Sequence, residues 1–128
     1  MTLIINDEKT LKSLQEAFSA QFPYLKIEFF SKLHKPGTAS GLKFKLDPTI
    51  TIGECRSGHT EGDWEIKPEM TVNDLEQGLG TIYGLGAQVF RKTANNNWIE
   101  TIHTDNWTLA EHNAESEALL QVRKDRLG

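Results

Sequence analysis

The chain has 128 residues, 38% apolar and 25% charged, a balance that suits one folded domain and argues against disorder. Its net charge of −4 lies in the second half: residues 1–64 hold eight basic and eight acidic side chains, residues 65–128 six and ten. An acidic half speaks against a nucleic-acid partner, which needs clustered cations. No apolar run nears the roughly 20 residues of a membrane span, and one cysteine, Cys55, cannot close an intramolecular disulfide.

The opening Met1-Thr2-Leu3-Ile4-Ile5-Asn6-Asp7 turns acidic at once and lacks the basic start of a signal peptide, so a cytoplasmic protein is expected. Leu11, Leu14, Phe18 and Phe22 then fall on one helical stripe, with Thr10 placed to cap it. Leu25, Ile27 and Phe29 alternate with Lys26, Glu28 and Phe30 as a strand. The long turn Lys35–Gly41 leads to a return strand in which Leu42, Phe44 and Leu46 alternate with Lys43 and Lys45. Asp47 is expected to cap a short helical turn that stops near Ser57 and Gly58.

Residues 62–68 supply the next strand, and Thr71 caps a second stripe of Val72, Leu75, Leu79, Ile82 and Tyr83. Gly78 and Gly80 each cost that helix about 1 kcal/mol relative to alanine, so packing must hold it. Ala87–Lys92 reads as a strand, Thr93–Asn97 as a tight turn, and Trp98–His103 as a return strand with no assignable inward face. Asp105 is placed to cap a last helix running towards Leu120 and Val122.

These segments are one pattern written twice. At an offset of 61, Ile5, Thr10, Leu11, Leu14, Phe18 and Phe22 meet Ile66, Thr71, Val72, Leu75, Leu79 and Tyr83. At an offset of 57, Thr51-Ile52-Gly53-Glu54 meets Thr108-Leu109-Ala110-Glu111. The expected fold is α+β: a mixed sheet of about six strands, helices mainly on one face, and two pseudo-repeated β-α-β-β-α units (about 1–60 and 61–128) in one compact domain.

The second unit, Trp64-Glu65-Ile66-Lys67-Pro68-Glu69-Met70-Thr71 onward, resembles the strand-to-helix entry of ubiquitin-like β-grasp domains. Asp105-Asn106-Trp107-Thr108-Leu109 matches the Asp-x-x-Thr-Leu turn of that family. The whole chain also resembles small bacterial proteins with tandem units of this type, for which there is no activity to transfer. The resemblance implies a fold and no chemistry. It departs from the conjugated modifiers at Arg126-Leu127-Gly128, where a single glycine follows a helix instead of a diglycine following a strand.

The polar run Glu54–Asp63 holds Cys55 and His59 at C-x3-H spacing, and His103 and His112 could complete a tetrahedral metal site if all four converged. The plainer reading is an inert buried thiol and surface histidines, with no cofactor. As a catalytic nucleophile Cys55 is poorly placed, late in its turn where the helix dipole has the wrong sign. Lys26, Lys32, Lys35, Lys43 and Lys45 read as a solvated sheet face, because no arginine or stacking aromatic interleaves with them on that face. Trp98 and Trp107, beside Asn97 and Asn106, are the candidates for contact with a protein partner; the plainer reading of these tryptophans is as core caps at the sheet end. The expected function is a non-catalytic protein-binding module, monomeric or weakly dimeric; the alternative is a small-ligand or metal-binding domain, catalytic or not, centred on Cys55 and His59.

Overall fold

The computed structural model describes residues 1–31 and 44–127. Thr10 opens the first helix, α1 (Leu11–Gln21), by accepting the Ser13 N–H on its hydroxyl at 3.2 Å. Thr71 opens the second, α2 (Val72–Tyr83), in a reciprocal box: its hydroxyl accepts the Asp74 N–H, and the Asp74 carboxylate accepts the Thr71 N–H. Both caps answer N–H groups that the helix itself leaves unpaired. The expected stripes are buried at Leu11, Leu14 and Phe18, and at Val72, Leu75, Leu79 and Tyr83, while Ile82 stays 49% exposed. Gly84 ends α2 in the left-handed region at φ 69°, with its N–H on the Gly80 carbonyl at 3.1 Å.

Strand β1 (Thr2–Ile5) pairs antiparallel with β3 (Gly62–Glu65), setting Leu3 opposite Trp64. A second sheet has the order β2 (Leu25–Phe30), β4 (Gly86–Lys92), β5 (Trp98–Glu100), again antiparallel, with Ile27 opposite Val89. Leu25, Ile27, Phe29, Ala87 and Val89 point to a core shared with both helix stripes, and that core draws on both halves of the chain.

The α+β class stands, but the single mixed sheet of about six strands does not. Among the described residues there are five strands in two small antiparallel sheets. Two of the expected strands bear on this. In the first hairpin, the Lys35–Gly41 turn, Leu42, Lys43, Lys32 and Lys35 lie outside the described residues; Lys45 bridges Phe30, and the Leu46 N–H reaches the Phe29 carbonyl at 2.9 Å. In the second hairpin, Trp98–His103 was expected as strand throughout, yet β5 stops at Glu100 and residues 102–104 form a 3-10 turn.

Side chains take over the β4 edge where β5 leaves it. Glu76 Oε2 accepts the Val89 N–H at 2.7 Å, and Thr101 Oγ1 donates to the Val89 carbonyl at 3.0 Å. The strand can end there without stranding backbone polar groups. The third helix, α3 (Leu109–Leu127), is capped by Thr108 and Glu111 in another reciprocal box, and not by Asp105. The Asp105 carbonyl instead accepts the Asn73 N–H at 2.7 Å. Asp47 likewise makes a local turn, accepting the Thr49 N–H and hydroxyl, ahead of the 3-10 turn Gly53–Cys55.

The two halves carry matching backbone contacts. Thr10 bridges Thr51 as Thr71 bridges Thr108. The Leu11 N–H reaches the Ile50 carbonyl as Val72 reaches Trp107, and Ile52 reaches Lys9 as Leu109 reaches Met70. In both halves these bonds tie the helix entry to the turn that follows the hairpin.

Gly78 explains how a glycine-bearing α2 holds its place. A Cβ there would stand 2.5 Å from the Trp64 ring, which also lies against Tyr83 with centroids 5.9 Å apart. Trp64 is therefore a packing residue, and the glycine makes room for it. Gly78→Ala should lower stability by about 1–3 kcal/mol in urea unfolding, although alanine at an unhindered helix site would gain about 1 kcal/mol.

Candidate functional site

Strand alternation sorts the β2-β4-β5 sheet into a core face and an outer face carrying Lys26, Glu28, Phe90, Lys92, Trp98 and Glu100. Cross-strand pairing puts Lys26 opposite Phe90 and Lys92 opposite Trp98. The Lys26 ammonium sits 5.4 Å from the Phe90 ring and 5.1 Å from the Trp98 ring, and Lys92 lies 5.4 Å from Trp98 on its own approach. These are cation–π distances. Aromatics do interleave with the lysines, contrary to the expectation from sequence, because the interleaving runs across strands and not along them. Glu28 pairs with Lys26 at 3.3 Å and Lys45 at 3.5 Å, so this face has mixed charge.

The turn beyond Trp98 is built by Thr93: its N–H reaches the Asn97 carbonyl at 2.7 Å, and its hydroxyl accepts the Asn97 N–H at 3.2 Å. Asn96 takes the left-handed conformation at φ 64°. Asn97 is exposed and Trp98 half-buried. Arg123 of α3 secures the turn by donating to the Ala94 carbonyl and to Asn95 Oδ1, at 2.8 and 2.9 Å.

Trp107 has a different setting. Its ring, 36% exposed, lies on the His112 ring with centroids 5.1 Å apart at the entry to α3, with exposed Asn106 beside it. His112 itself is fully buried, and the Thr104 carbonyl lies 2.8 Å from Nε2, so Nε2 carries the proton. Burial pulls its pKa down, against the pull of the Thr104 carbonyl, and favours the neutral ring.

The first half carries a separate polar cluster. The Arg56 guanidinium, its side chain 1% exposed, donates to Asp7 Oδ1 at 2.8 and 3.3 Å and to the Thr60 and Tyr83 carbonyls, each at 2.8 Å. His59 Nδ1 lies 2.6 Å from Asp7 Oδ2. The Arg56 guanidinium holds the Asp7 carboxyl below its ordinary range, so the carboxylate accepts and His59 Nδ1 donates. Cys55 is half-buried, its Sγ 3.2 Å from the Ile52 carbonyl, and burial pushes the thiol up despite the nearby Arg56. That combination gives a poor nucleophile.

The four metal candidates thus have other settings: Cys55 on Ile52, His59 on Asp7, His112 under Trp107, and His103 exposed on its 3-10 turn. Among the described residues, no three His, Cys, Asp or Glu side chains group where they could hold a metal ion. No described helix is long and apolar enough to cross a membrane.

Two polar residues, Arg56 and Glu76, had no signal in the sequence. Glu76 is 4% exposed, and burial lifts its pKa to about 8, with the Val89 N–H opposing and Asp105 and Glu100 adding to the rise. Glu76 stands at an offset of 61 from Gln15, whose amide donates to the Ile27 carbonyl at 3.0 Å. Both helices use this position to reach sheet backbone.

No family model, curated protein or solved structure matches this chain.

Proposed function

We propose that the protein is a non-catalytic binding module that takes an extended acidic segment of a partner protein along β5. The observation that carries this reading is Trp98, half-exposed between Lys26 and Lys92 on the strand that ends the sheet. β5 has β4 as its one strand neighbour among the described residues, so its other edge offers backbone groups to an added strand. Such a strand would set alternate side chains beside Trp98 and Glu100, and a carboxylate beside Trp98 would meet the Lys26 and Lys92 ammonium groups at its ring. Glu28 and Glu100 break this face into mixed charge, so it can take a carboxylate at the Trp98 ring but lacks the run of cations that a nucleic-acid backbone wants. Matching contacts in the two halves support reading the chain as a tandem unit, with the binding surface where the copies differ.

The test is an NMR titration of the labelled protein with a peptide of alternating Glu and Val. Shifts confined to residues 98–100 and the Trp98 indole N–H are expected, and Trp98→Ala or the surface change Lys92→Glu should abolish them in a folded protein. Trp107→Ala should leave binding intact. Binding of an oligo-dT strand in place of the peptide would overturn the reading.

A further inference from the structure

We propose that two copies of this chain pair antiparallel through the second half of α3. From Glu117 to Arg126 this helix is exposed, with only Leu120 half-buried, so about 15 Å of it stands clear of the core. Glu115, Leu119, Val122 and Arg126 fall at i, i+4, i+7 and i+11, which makes them one straight stripe. Its middle is apolar and open, with Leu119 36% and Val122 49% exposed. Its two ends carry opposite charges, and neither Glu115 nor Arg126 has an ion pair among the described residues. Leu119, Val122 and Arg126 also form one wall of a groove of about 340 Å³, whose other wall is the Ala94–Asn95 turn.

Charge order selects the occupant. If a second α3 crosses the first in reverse at residues 120 and 121, Leu119 meets Val122 of the second copy. Glu115 then meets Arg126 of the second copy, and the symmetry repeats both contacts. A parallel pairing would set like charges together. The stripe is thus complementary to its own reverse, the requirement of a twofold interface. Four residues per copy cover much less than the roughly 800 Å² per partner of a stable complex, so the dimer should be weak, with a dissociation constant on the order of 100 µM. This pairing is independent of the Trp98 surface.

Sedimentation equilibrium of the full chain from about 10 µM to 1 mM tests it. A monomer–dimer equilibrium is expected, and Val122→Asp should leave monomer at every concentration. Glu115→Arg alone and Arg126→Glu alone should each weaken dimerisation about tenfold, by opposing like charges. Mixing these two variants should restore dimers, because each then supplies the charge the other lacks. Monomer throughout would overturn the proposal, as would a dimer indifferent to Val122→Asp. A dimer that both single reversals leave unchanged, or that mixing fails to restore, would overturn the antiparallel register.

Discussion

Replacing Glu76 with glutamine should flatten the protein's stability profile between pH 4.5 and 8. In the folded chain burial raises the Glu76 pKa to about 8 from an ordinary value of 4.5, so the folded state holds a proton that the unfolded state releases. The sign follows. Glu76 favours folding fully below about pH 4.5, and its contribution falls as pH rises towards 8. By pH 7 the difference is about 3 kcal/mol. Glutamine keeps an oxygen for the Val89 N–H and does not titrate. His112 acts in the opposite direction, since its pKa is lowered and stability rises as its unfolded form loses its proton. The comparison of variant with wild type removes that contribution. Urea unfolding across this pH range should give curves that meet near pH 4.5 and separate by about 3 kcal/mol at pH 7, the variant being more stable. Parallel curves would mean that Glu76 is ionised in the fold.

Removing Arg56 should be costly in the other direction. Its guanidinium answers the Thr60 and Tyr83 carbonyls and Asp7 at once, from a position closed to water. Arg56→Met keeps the stem and strips every one of these bonds, and about 3 kcal/mol of stability should be lost. Arg56→Lys should recover little, because one ammonium cannot reproduce a planar fork bonded on several sides. Thermal unfolding measures both. A lysine variant as stable as wild type would show that only the charge opposite Asp7 matters. The Asp7 contact is itself present above the ordinary carboxylate range and is lost as pH falls through the lowered folded value.

Local periodicity was enough to read α1 and α2, because each stripe and its threonine cap are sequence neighbours. In sequence Thr10 and Thr71, and Thr51 and Thr108, stand at constant offsets, but that Thr10 bridges Thr51 and Thr71 bridges Thr108 came from the fold. The early end of β5 was not legible. It depends on Glu76 and Thr101 reaching Val89, and no pattern within residues 98–103 announces either. Gly78 looked like a weakness until Trp64, fourteen positions earlier, was seen to need its space. Of the lysines expected to share a face, Lys26 and Lys45 are described and both meet Glu28, while Lys92 and the aromatic company of Lys26 came from the pairing register. Trp98 and Trp107 read alike in sequence, each following an asparagine, and only the fold separates a ring set among lysines from one laid on a histidine.

Strand pairing also imposes a schedule on synthesis. β1 finds its partner at residues 62–65, and β2 pairs along its full length only with residues 86–91. While the first half emerges from the ribosome, Leu3 and Ile5 lack their β3 partner, and Ile27 lacks the β4 residues it pairs with. Their helix α1 can form early, but the apolar strands must wait roughly sixty codons, several seconds at ordinary elongation rates. During that interval the nascent chain exposes apolar strand residues that the finished fold buries.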